Sequence, residues 1–415
     1  MSDSSDNSPP RLFQGYGVEL EYMIVRRDDL SVLPVSDLVL KELAGEIRNE
    51  VDVESISWSN ELVLHVIELK NTRPAPALVP LGAIFADHVS RMNDRLDSMG
   101  AMLMPGAMHP FMKPREEAKI WPHDSREIYE TFDAIFDCKR HGWSNLQSVQ
   151  INYSFGDDEE FGRLHAAIRL VLPVVASLAA SSPVMEGNVT GLVDTRLDVY
   201  SHNADRVASV TGHVIPEGVF TEADYDEVIY QPLYAEIAPL DPDGILRHPW
   251  LNARGAIAQF GRDAIEIRVL DMQECPQADI AVCCAVSAVV KALVEQRWTD
   301  TAHQQAWEVG PLAEIFFATV KDAEMTVLDN RDYLRLFGFP DKKATAQELW
   351  LYLVETLAGR SPGLDSEHLR VILDKGPLSR RLLRVLGPHP TRERVEAAYR
   401  ALSTSLAAGT SFIDL

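Results

Sequence analysis

The chain has 415 residues, 46% of them hydrophobic and 24% charged, a composition typical of a soluble globular protein with one large domain or two ordinary ones. Its net charge of −23 argues against general binding to nucleic acids or anionic membranes, because both are themselves negative. The four cysteines form no CxxC pair, and residues 1–10 carry no apolar signal-peptide segment, so we expect reduced thiols and a cytoplasmic protein.

The hydrophobic pattern along the chain predicts strands and helices in alternation. Residues 1–10 are rich in Ser, Asp and Pro, and we expect them to be disordered. Strands are predicted at 16–25, 62–69, 101–106, 146–155 and 264–271, and helices at 37–48, 79–98, 124–137, 158–180 and 276–297. Residues 205–260 contain several prolines, and we expect them to form a long irregular segment over an active site. Residues 299–415 are mainly helical, with patterns at 302–320, 346–359, 364–374 and 390–407.

The first strand has an alternating pattern that places Glu19 and Glu21 on one face. Two carboxylates at i and i+2 repel each other unless a positive group lies between them. A divalent cation that prefers oxygen ligands, Mg²⁺ or Mn²⁺, would relieve that repulsion. A solvated acidic strand would show the same alternation, so this strand alone leaves both interpretations open.

Two later strands repeat the design of an apolar face and a polar face. Gln150 and Asn152 share the polar face of one, and Glu266 and Arg268 share that of the other. A solvated polar face explains each pair taken singly, whereas carboxylates, amides and an arginine on comparable strands favour a metal and phosphate site. The fork of Arg268 could hold phosphoryl oxygens or a substrate carboxylate, or it could simply neutralise Glu266.

Glu61 and Glu68 add two further carboxylates, seven residues apart. Seven is an odd number, so the two side chains fall on opposite faces of an ideal strand. They can serve one site only if Glu61 lies in the preceding turn or a bulge intervenes. The GxxxxGK[ST], HExxH and GxSxG signatures do not occur in the sequence.

Five motifs in order carry a resemblance to the glutamate–cysteine ligase family, in its bacterial carboxylate–amine ligase branch, over roughly residues 12–298. They are Gly17-Val-Glu19-Leu-Glu21, the Glu61/Glu68 pair, Gln150-Ile-Asn152, Ala180-Ser-Ser-Pro183 with Thr190-Gly191 and Arg196, and Glu266-Ile-Arg268-Val-Leu-Asp271. Each motif is weak by itself, but five in the family's order are specific.

The resemblance implies an α+β, glutamine-synthetase-like fold, in which a curved and mainly antiparallel sheet carries helices on its outer face. It implies a catalytic core at 11–298 and a helical region at 299–415 packed on that core. It also implies ATP and Mg²⁺ (or Mn²⁺) as cofactors. By motif match the metal ligands would be Glu19, Glu21, Glu61, Glu68, Gln150 and Glu266. Glu61 should then sit at a strand entrance.

The implied reaction starts with phosphorylation of the γ-carboxylate of glutamate by ATP, followed by attack of an amine, cysteine in the family's named reaction. Arg196 and Arg268 resemble catalytic arginines near glutamate or phosphate, and we expect Asn152, Arg268, Asn252 and Arg254 on the nucleotide side. Three alternatives stay open: another amine acceptor, a non-catalytic nucleotide-binding or amino-acid-binding relative, and a metal-dependent hydrolase. We expect small-molecule substrates, no nucleic-acid or membrane partner, and a possible homodimer.

Overall fold

The fold is taken from a computed structural model, which describes residues 11–414. The predicted disordered segment 1–10 lies outside the described residues. The main feature is an eight-stranded sheet in which seven strands follow the order β2-β3-β4-β1-β6-β10-β9 and β5 pairs with β1. Its strands are β1 (Tyr16–Arg26), β2 (Glu50–Val53), β3 (Ile56–Asn60), β4 (Val66–Asn71), β5 (Ala101–Met104), β6 (Ser148–Ser154), β9 (Ala256–Gln259) and β10 (Ala264–Asp271). The four remaining strands of the described residues form two small two-stranded sheets, β7 (Val184–Met185) with β8 (Asn188–Val189) and β11 (Val327–Leu328) with β12 (Ala344–Thr345).

Every pairing in the large sheet is antiparallel, and β1 is its organising strand. Residues 19–23 of β1 pair with β4, residues 16–20 pair with β6, and residues 23–26 pair with β5. The sequence did not predict the β2–β3 hairpin or β9. The hairpin begins in a polar strand with no apolar run, Glu50–Val53, and that composition does not distinguish a strand from a loop.

Helices cover one face of this sheet and account for most of the regular structure outside it. Up to residue 237 they are α1 (Ser36–Ala44), α2 (Leu81–Asp97), α3 (Pro114–Glu117), α4 (Arg126–Phe136), α5 (His141–Ser144), α6 (Asp158–Val171), α7 (Ala176–Ala179), α8 (Thr195–Ser201), α9 (Glu222–Tyr225) and α10 (Gln231–Ile237). After it they are α11 (Pro276–Val294), α12 (Thr301–Gln305), α13 (Val309–Asp322), α14 (Arg331–Leu336), α15 (Ala346–Leu357), α16 (Glu367–Lys375), α17 (Leu378–Leu386) and α18 (Arg392–Ala408).

The helix predicted over 158–180 is broken in the structure. α6 ends at Val171, a single 3₁₀ turn covers Leu172–Val174, and α7 follows. Pro173 lacks the amide hydrogen that an α-helix would need at that position, which explains the break.

The apolar face of β1 lies in the core, as the alternation predicts. Val18, Leu20, Tyr22 and Ile24 are fully buried and share one hydrophobic cluster with residues of α2, α6 and α11. α11 is long and apolar enough to cross a membrane by length and composition, but 89% of its most apolar window is buried inside the fold. It packs against α2 and α6 and is therefore a core helix.

The helical region after residue 298 shares its core with the sheet and its helices. Trp350 on α15 donates from Nε1 to the carbonyl of Val174 at 2.9 Å, and Tyr333 on α14 donates to the carbonyl of Leu170 at 2.7 Å. α18 lies along β5. The α+β fold, with a large antiparallel sheet and a helical carboxyl-terminal region, is confirmed; the boundary at residue 298 stays a prediction.

Candidate active site

The face of the sheet opposite the core carries polar side chains in register on five strands. Because paired residues on neighbouring strands point to the same side, the pairings fix which polar groups stand next to each other. The three rows across the strands are Ser57–Lys70–Glu19–Gln150, Ser59–Glu68–Glu21 and Gly17–Asn152–Glu266. Residues that are up to 249 positions apart in the sequence, Gly17 and Glu266, thus meet on one surface.

Glu61 joins this surface from the connection between β3 and β4. β3 ends at Asn60 and β4 begins at Val66, so Glu61 lies in the turn rather than within a strand. This placement removes the odd-spacing problem, because Glu61 and Glu68 no longer belong to one regular strand. Both side chains line the same cavity.

A cavity of about 320 Å³ opens over the polar face. Arg196 and Arg268 line it, and so do all six predicted metal ligands: Glu19, Glu21, Glu61, Glu68, Gln150 and Glu266. A second cavity adjoins the first, since both are lined by Glu19 and Arg262. Asn152 lines only the second cavity.

Hydrogen bonds across the strands fix the orientation of the two amides. Gln150 donates from Nε2 to Glu21 at 2.9 Å, and Asn152 donates from Nδ2 to Glu19 at 3.1 Å. The backbone amide of Ser148 also donates to Glu21, at 2.7 Å. Because its nitrogen makes the bond to Glu21, Gln150 keeps its amide oxygen available as a ligand.

Burial and mutual repulsion shift the pKa values of the carboxyl groups. Burial, followed by the charges of Glu68 and Glu266, raises the pKa of Glu19 well above its usual range. Burial, followed by the charges of Glu21 and Glu68, does the same for the pKa of Glu61. Burial raises the pKa of Glu68, but the charge of Lys70 and the hydrogen bonds donated to the Glu68 carboxylate together lower it more, so the net shift is downward. A surplus of buried negative charge is the electrostatic condition that a divalent cation relieves.

Arg268 is an ion-pair partner of Glu266 on the same strand, at 2.9 Å. Its role as a neutralising neighbour and its role as an anion ligand are compatible, because the guanidinium has five N–H donors and the contacts to Glu266 use only Nε and Nη2. The side chain is partly exposed to the cavity.

A β-bulge in β10 determines the surroundings of Arg196. Ile267 pairs with Ile151, but Leu270 pairs with Val149, so two residues of β10 oppose Gln150 alone. Asp271, which strict alternation would place on the core side with Ile267, therefore pairs with Ser148 on the polar side. There it forms a buried ion pair with Arg196, one of the arginines that line the cavity.

Asn252 and Arg254 lie beside the cavity rather than in its lining. Asn252 is fully buried, donates to the Tyr225 hydroxyl at 2.8 Å and accepts from Arg254 Nη1 at 3.0 Å. Arg254 forms a two-pronged ion pair with Glu217, at 2.6 and 2.8 Å. The backbone between them contributes Ala253 to the cavity wall. Their polar atoms are thus engaged in positioning this wall.

Sequence reasoning missed two cations next to the cluster. Lys70 bridges Glu68 at 3.0 Å and Glu50 at 2.8 Å, and it lines the second cavity. Its signal was available, because Glu68-x-Lys70 repeats the spacing of Glu266-x-Arg268. Arg262 lies in a short turn before β10, where no periodic pattern marks it.

The residues fit Mg²⁺ better than a softer metal. The described lining of the first cavity supplies carboxylate and amide oxygens and includes neither His nor Cys. Among residues 11–414, no group of three or more His, Cys, Asp or Glu side chains is arranged so that it could hold a metal ion by itself. Mg²⁺ usually keeps waters and takes substrate phosphates as ligands, so it does not require such a cage.

Comparison with known proteins decides the family. The profile of Glutamate-cysteine ligase family 2 matches residues 16–314, which is more than half of the chain. The chain belongs to this family. The match begins with β1 and ends within α13, so it includes every strand of the carboxylate-lined sheet. The resemblance inferred from the five motifs is confirmed, and with it membership of a carboxylate–amine ligase family.

Two relatives and one solved structure are similar to this chain. An uncharacterized protein from Archaeoglobus fulgidus is 35% identical over 68% of this chain and 76% of its own length. A Nocardioides sp. protein with the provisional name glutamate–cysteine ligase 2-1 is 25% identical over 71% of this chain and 72% of its own length. The crystal structure of a Francisella tularensis glutamate–cysteine ligase in complex with AMP superposes with a TM-score of 0.59 at 14% identity, covering 94% of this chain and 88% of that one. At this identity the superposition supports the fold.

Proposed function

We propose that the protein is an ATP-dependent ligase that joins the γ-carboxylate of glutamate to a primary amine through a γ-glutamyl phosphate. The observation that carries the proposal is the convergence of five glutamates, one glutamine and three arginines on a single cavity of a ligase-family fold. Cysteine is the acceptor named by the family, and a different amine with the same chemistry is the second candidate. Small molecules are the substrates in either case.

The six oxygen-bearing side chains predicted as ligands, five on the sheet and Glu61 in the turn before β4, would hold Mg²⁺, with Mn²⁺ as a substitute of similar ligand preference. When bound, the metal would neutralise phosphate charge and orient the phosphoryl group for in-line transfer. The adjoining cavity suits the polyphosphate of ATP because its three cations, Lys70, Arg73 and Arg262, outnumber the two carboxylates in its lining. Asn152 also lines this cavity. The AMP in the Francisella tularensis ligase supports a nucleotide site on this fold.

The arginines are assigned to the anionic parts of glutamate and phosphate. Arg268 has N–H donors beyond its bonds to Glu266 and reaches the cavity, so it would bind the phosphoryl oxygens. Arg196 is held rigidly by Asp271, and its position on the wall suits the carboxylate of glutamate. Asn252 and Arg254 would act on the wall rather than on the nucleotide.

The chemistry consists of two transfers. An oxygen of the γ-carboxylate attacks the terminal phosphorus of ATP, the bond to ADP breaks, and ADP leaves. The amine nitrogen then forms a C–N bond with the acyl carbon, the C–O bond to phosphate breaks with its electron pair, and the proton of the amine goes to solvent. The protein contributes positioning and charge neutralisation, which are the main requirements of phosphoryl transfer.

Glutamate labelled with oxygen-18 in its γ-carboxylate tests the proposal. With ATP, Mg²⁺ and an amine panel, the product mass should correspond to a γ-glutamyl amide, and the released phosphate should carry the label. Unlabelled phosphate together with amide would exclude the acyl phosphate. ADP release without any glutamate would favour a hydrolase, and nucleotide binding without turnover would favour a non-catalytic relative.

We also assign the protein to the cytoplasm, where ATP is available. Its four cysteines are unpaired and buried, which suits a reducing compartment. A homodimer stays a prediction.

A further inference from the structure

The lining of the cavity is apolar as well as acidic. Besides the carboxylates it includes six apolar side chains that we call the apolar wall: Leu62, Val63, Val66, Phe132, Trp143 and Leu146. Leu62 and Val63 directly follow Glu61, and Val66 lies two residues before Glu68 on β4, so the apolar wall borders the carboxylate cluster. A substrate that fills the cavity therefore meets both carboxylates and apolar surface.

The aromatic part of the apolar wall is held in place by packing on its outer side. Phe132 on α4 and Trp143 on α5 have ring centroids 5.5 Å apart, and Trp250 lies 5.6 Å from Phe132. Trp143 donates from Nε1 to the carbonyl of Asn203 at 2.9 Å, which fixes the plane of its indole. Both wall rings remain partly exposed, although their neighbour Phe136 is buried. Rigid aromatic surface facing a cavity is the usual lining of a site for an apolar group.

The carboxylates of this cavity outnumber its cations, because its lining contains five glutamates. The described lining includes three arginines, Arg196, Arg262 and Arg268. Arg196 is paired with Asp271, Arg268 with Glu266, and Arg262 marks the border with the adjoining cavity. An amino-acid acceptor such as cysteine would add a second α-carboxylate to that of glutamate. In a cavity lined mainly by glutamates and apolar side chains, both repulsion and desolvation oppose that carboxylate.

We infer that the acceptor is a primary amine with an aromatic or branched apolar body and without a carboxylate beside the nitrogen. The inference rests on the proposed function and specifies its second substrate. The amine nitrogen faces the acyl phosphate over the sheet, and the apolar body packs on Phe132 and Trp143. Bond changes are those of the second transfer: a C–N bond forms, the C–O bond to phosphate breaks, and the proton of the amine leaves to solvent.

Four acceptors in a two-by-two design separate the contributions of the ring and the carboxylate. Phenethylamine and phenylalanine differ only in the carboxylate, and cysteamine and cysteine differ in the same way. We expect kcat/KM for phenethylamine to exceed that for cysteamine about tenfold or more, because a buried aromatic ring gains free energy from leaving water. We also expect each decarboxylated amine to exceed its amino acid.

Hydroxylamine is the fifth acceptor and tests the proposed function independently, because it is small enough to need neither wall nor counter-ion. Without γ-glutamyl hydroxamate the proposed function fails. With hydroxamate but with cysteine as the best of the four acceptors, the proposed function stands and the acceptor inference is overturned. Equal rates for all four acceptors would overturn it as well.

The variant Phe132→Ala tests whether the acceptor contacts the apolar wall. The ratio of kcat/KM for phenethylamine to that for hydroxylamine should fall at least about fivefold, since the truncation removes a contact that only the larger acceptor makes. Phe317→Ala is the matched control, because Phe317 is an exposed phenylalanine on α13 outside the cavity. If both variants leave the ratio unchanged, the acceptor does not use the apolar wall. Trp143→Leu, which keeps an apolar side chain, gives a second variant should Phe132→Ala fail to fold.

Discussion

Arg196 and Asp271 form an ion pair in which both side chains are at most 2% exposed, and this pair depends on the bulge in β10. Asp271 also accepts hydrogen bonds from the backbone amide of Ser181 and the hydroxyl of Ser182, at 2.8 and 2.9 Å. The motif Ala180-Ser-Ser-Pro183 is therefore a support for the carboxylate that holds the arginine. The predicted catalytic arginine thus has a second layer of residues that fixes its position.

We predict that Asp271→Asn destabilises the protein by about 3 kcal/mol or more, because it leaves the Arg196 charge buried without its partner. Urea unfolding measures this change. The double variant Arg196→Met/Asp271→Leu should recover part of the lost stability but none of the ligase activity. Unchanged stability of Asp271→Asn would show that the pair is not the support described here.

We predict that Glu61→Gln raises the free energy of unfolding of the metal-free protein while abolishing ligase turnover. The variant removes a carboxylate whose pKa is raised by burial and by its neighbours Glu21 and Glu68, so repulsion in the folded state falls. Glu314→Gln, at an exposed position of α13, is the matched control and should change neither quantity. A destabilised Glu61→Gln would identify a structural carboxylate instead.

Lys70 forms an ion pair with Glu68 at 3.0 Å, and this pair leads to a pH prediction for activity. Lys70 is the largest contribution that lowers the pKa of Glu68. In Lys70→Met the pKa of Glu68 should rise, so the acidic limb of the kcat/KM profile should move to higher pH. Lys70→Arg keeps the charge and should restore the profile. If the acidic limb is identical in all three proteins, Glu68 does not govern it.

Buried histidines predict a loss of stability in mild acid. Burial lowers the pKa of His65 to about 4 and that of His165 to about 3. Below the ordinary histidine pKa, the unfolded chain binds protons that the folded protein does not bind, so the free energy of unfolding falls as the pH falls. Between the unfolded-state and folded-state pKa values, each such histidine lowers the free energy of unfolding by roughly 1.4 kcal/mol per pH unit.

The matched pair for this prediction is His65→Gln and His303→Gln. His65 is fully buried and bonds through Nε2 to the carbonyl of Ser144 at 2.8 Å, whereas His303 is exposed on α12. The slope of unfolding free energy against pH should flatten for the first variant and stay unchanged for the second. Equal slopes would mean that His65 is protonated in the folded protein as readily as in the unfolded chain.

Much of the site was predictable because the first strand and its partners follow a strict period of two. Glu19, Glu21, Gln150 and Glu266 reach one cavity for that reason. The pairing partner of Arg196 was not predictable, because a bulge reverses the face of every residue that follows it and leaves no periodic trace. Asp271 could be recognised as part of a motif, but its contact required the register.

Contacts between residues far apart in the sequence were also not predictable. Asn252 and Arg254 were expected on the nucleotide side, and this role stays a prediction; in the structure Tyr225 and Glu217 bind them beside the cavity. Those partners come from the Pro-punctuated segment 205–260, whose path the sequence pattern does not determine. The apolar wall was equally hidden, because Phe132 and Trp143 have the spacing and character of ordinary core residues.

In the proposed function, the acidic face of the sheet activates glutamate for amide formation. This activation can be measured as the mass of γ-glutamyl hydroxamate formed from ATP, Mg²⁺, glutamate and hydroxylamine by the unaltered protein and by Glu21→Gln. We predict hydroxamate and equimolar ADP for the unaltered protein, and neither product for a folded Glu21→Gln variant. Absence of hydroxamate from the unaltered protein, or an equal yield from the variant, would contradict this account.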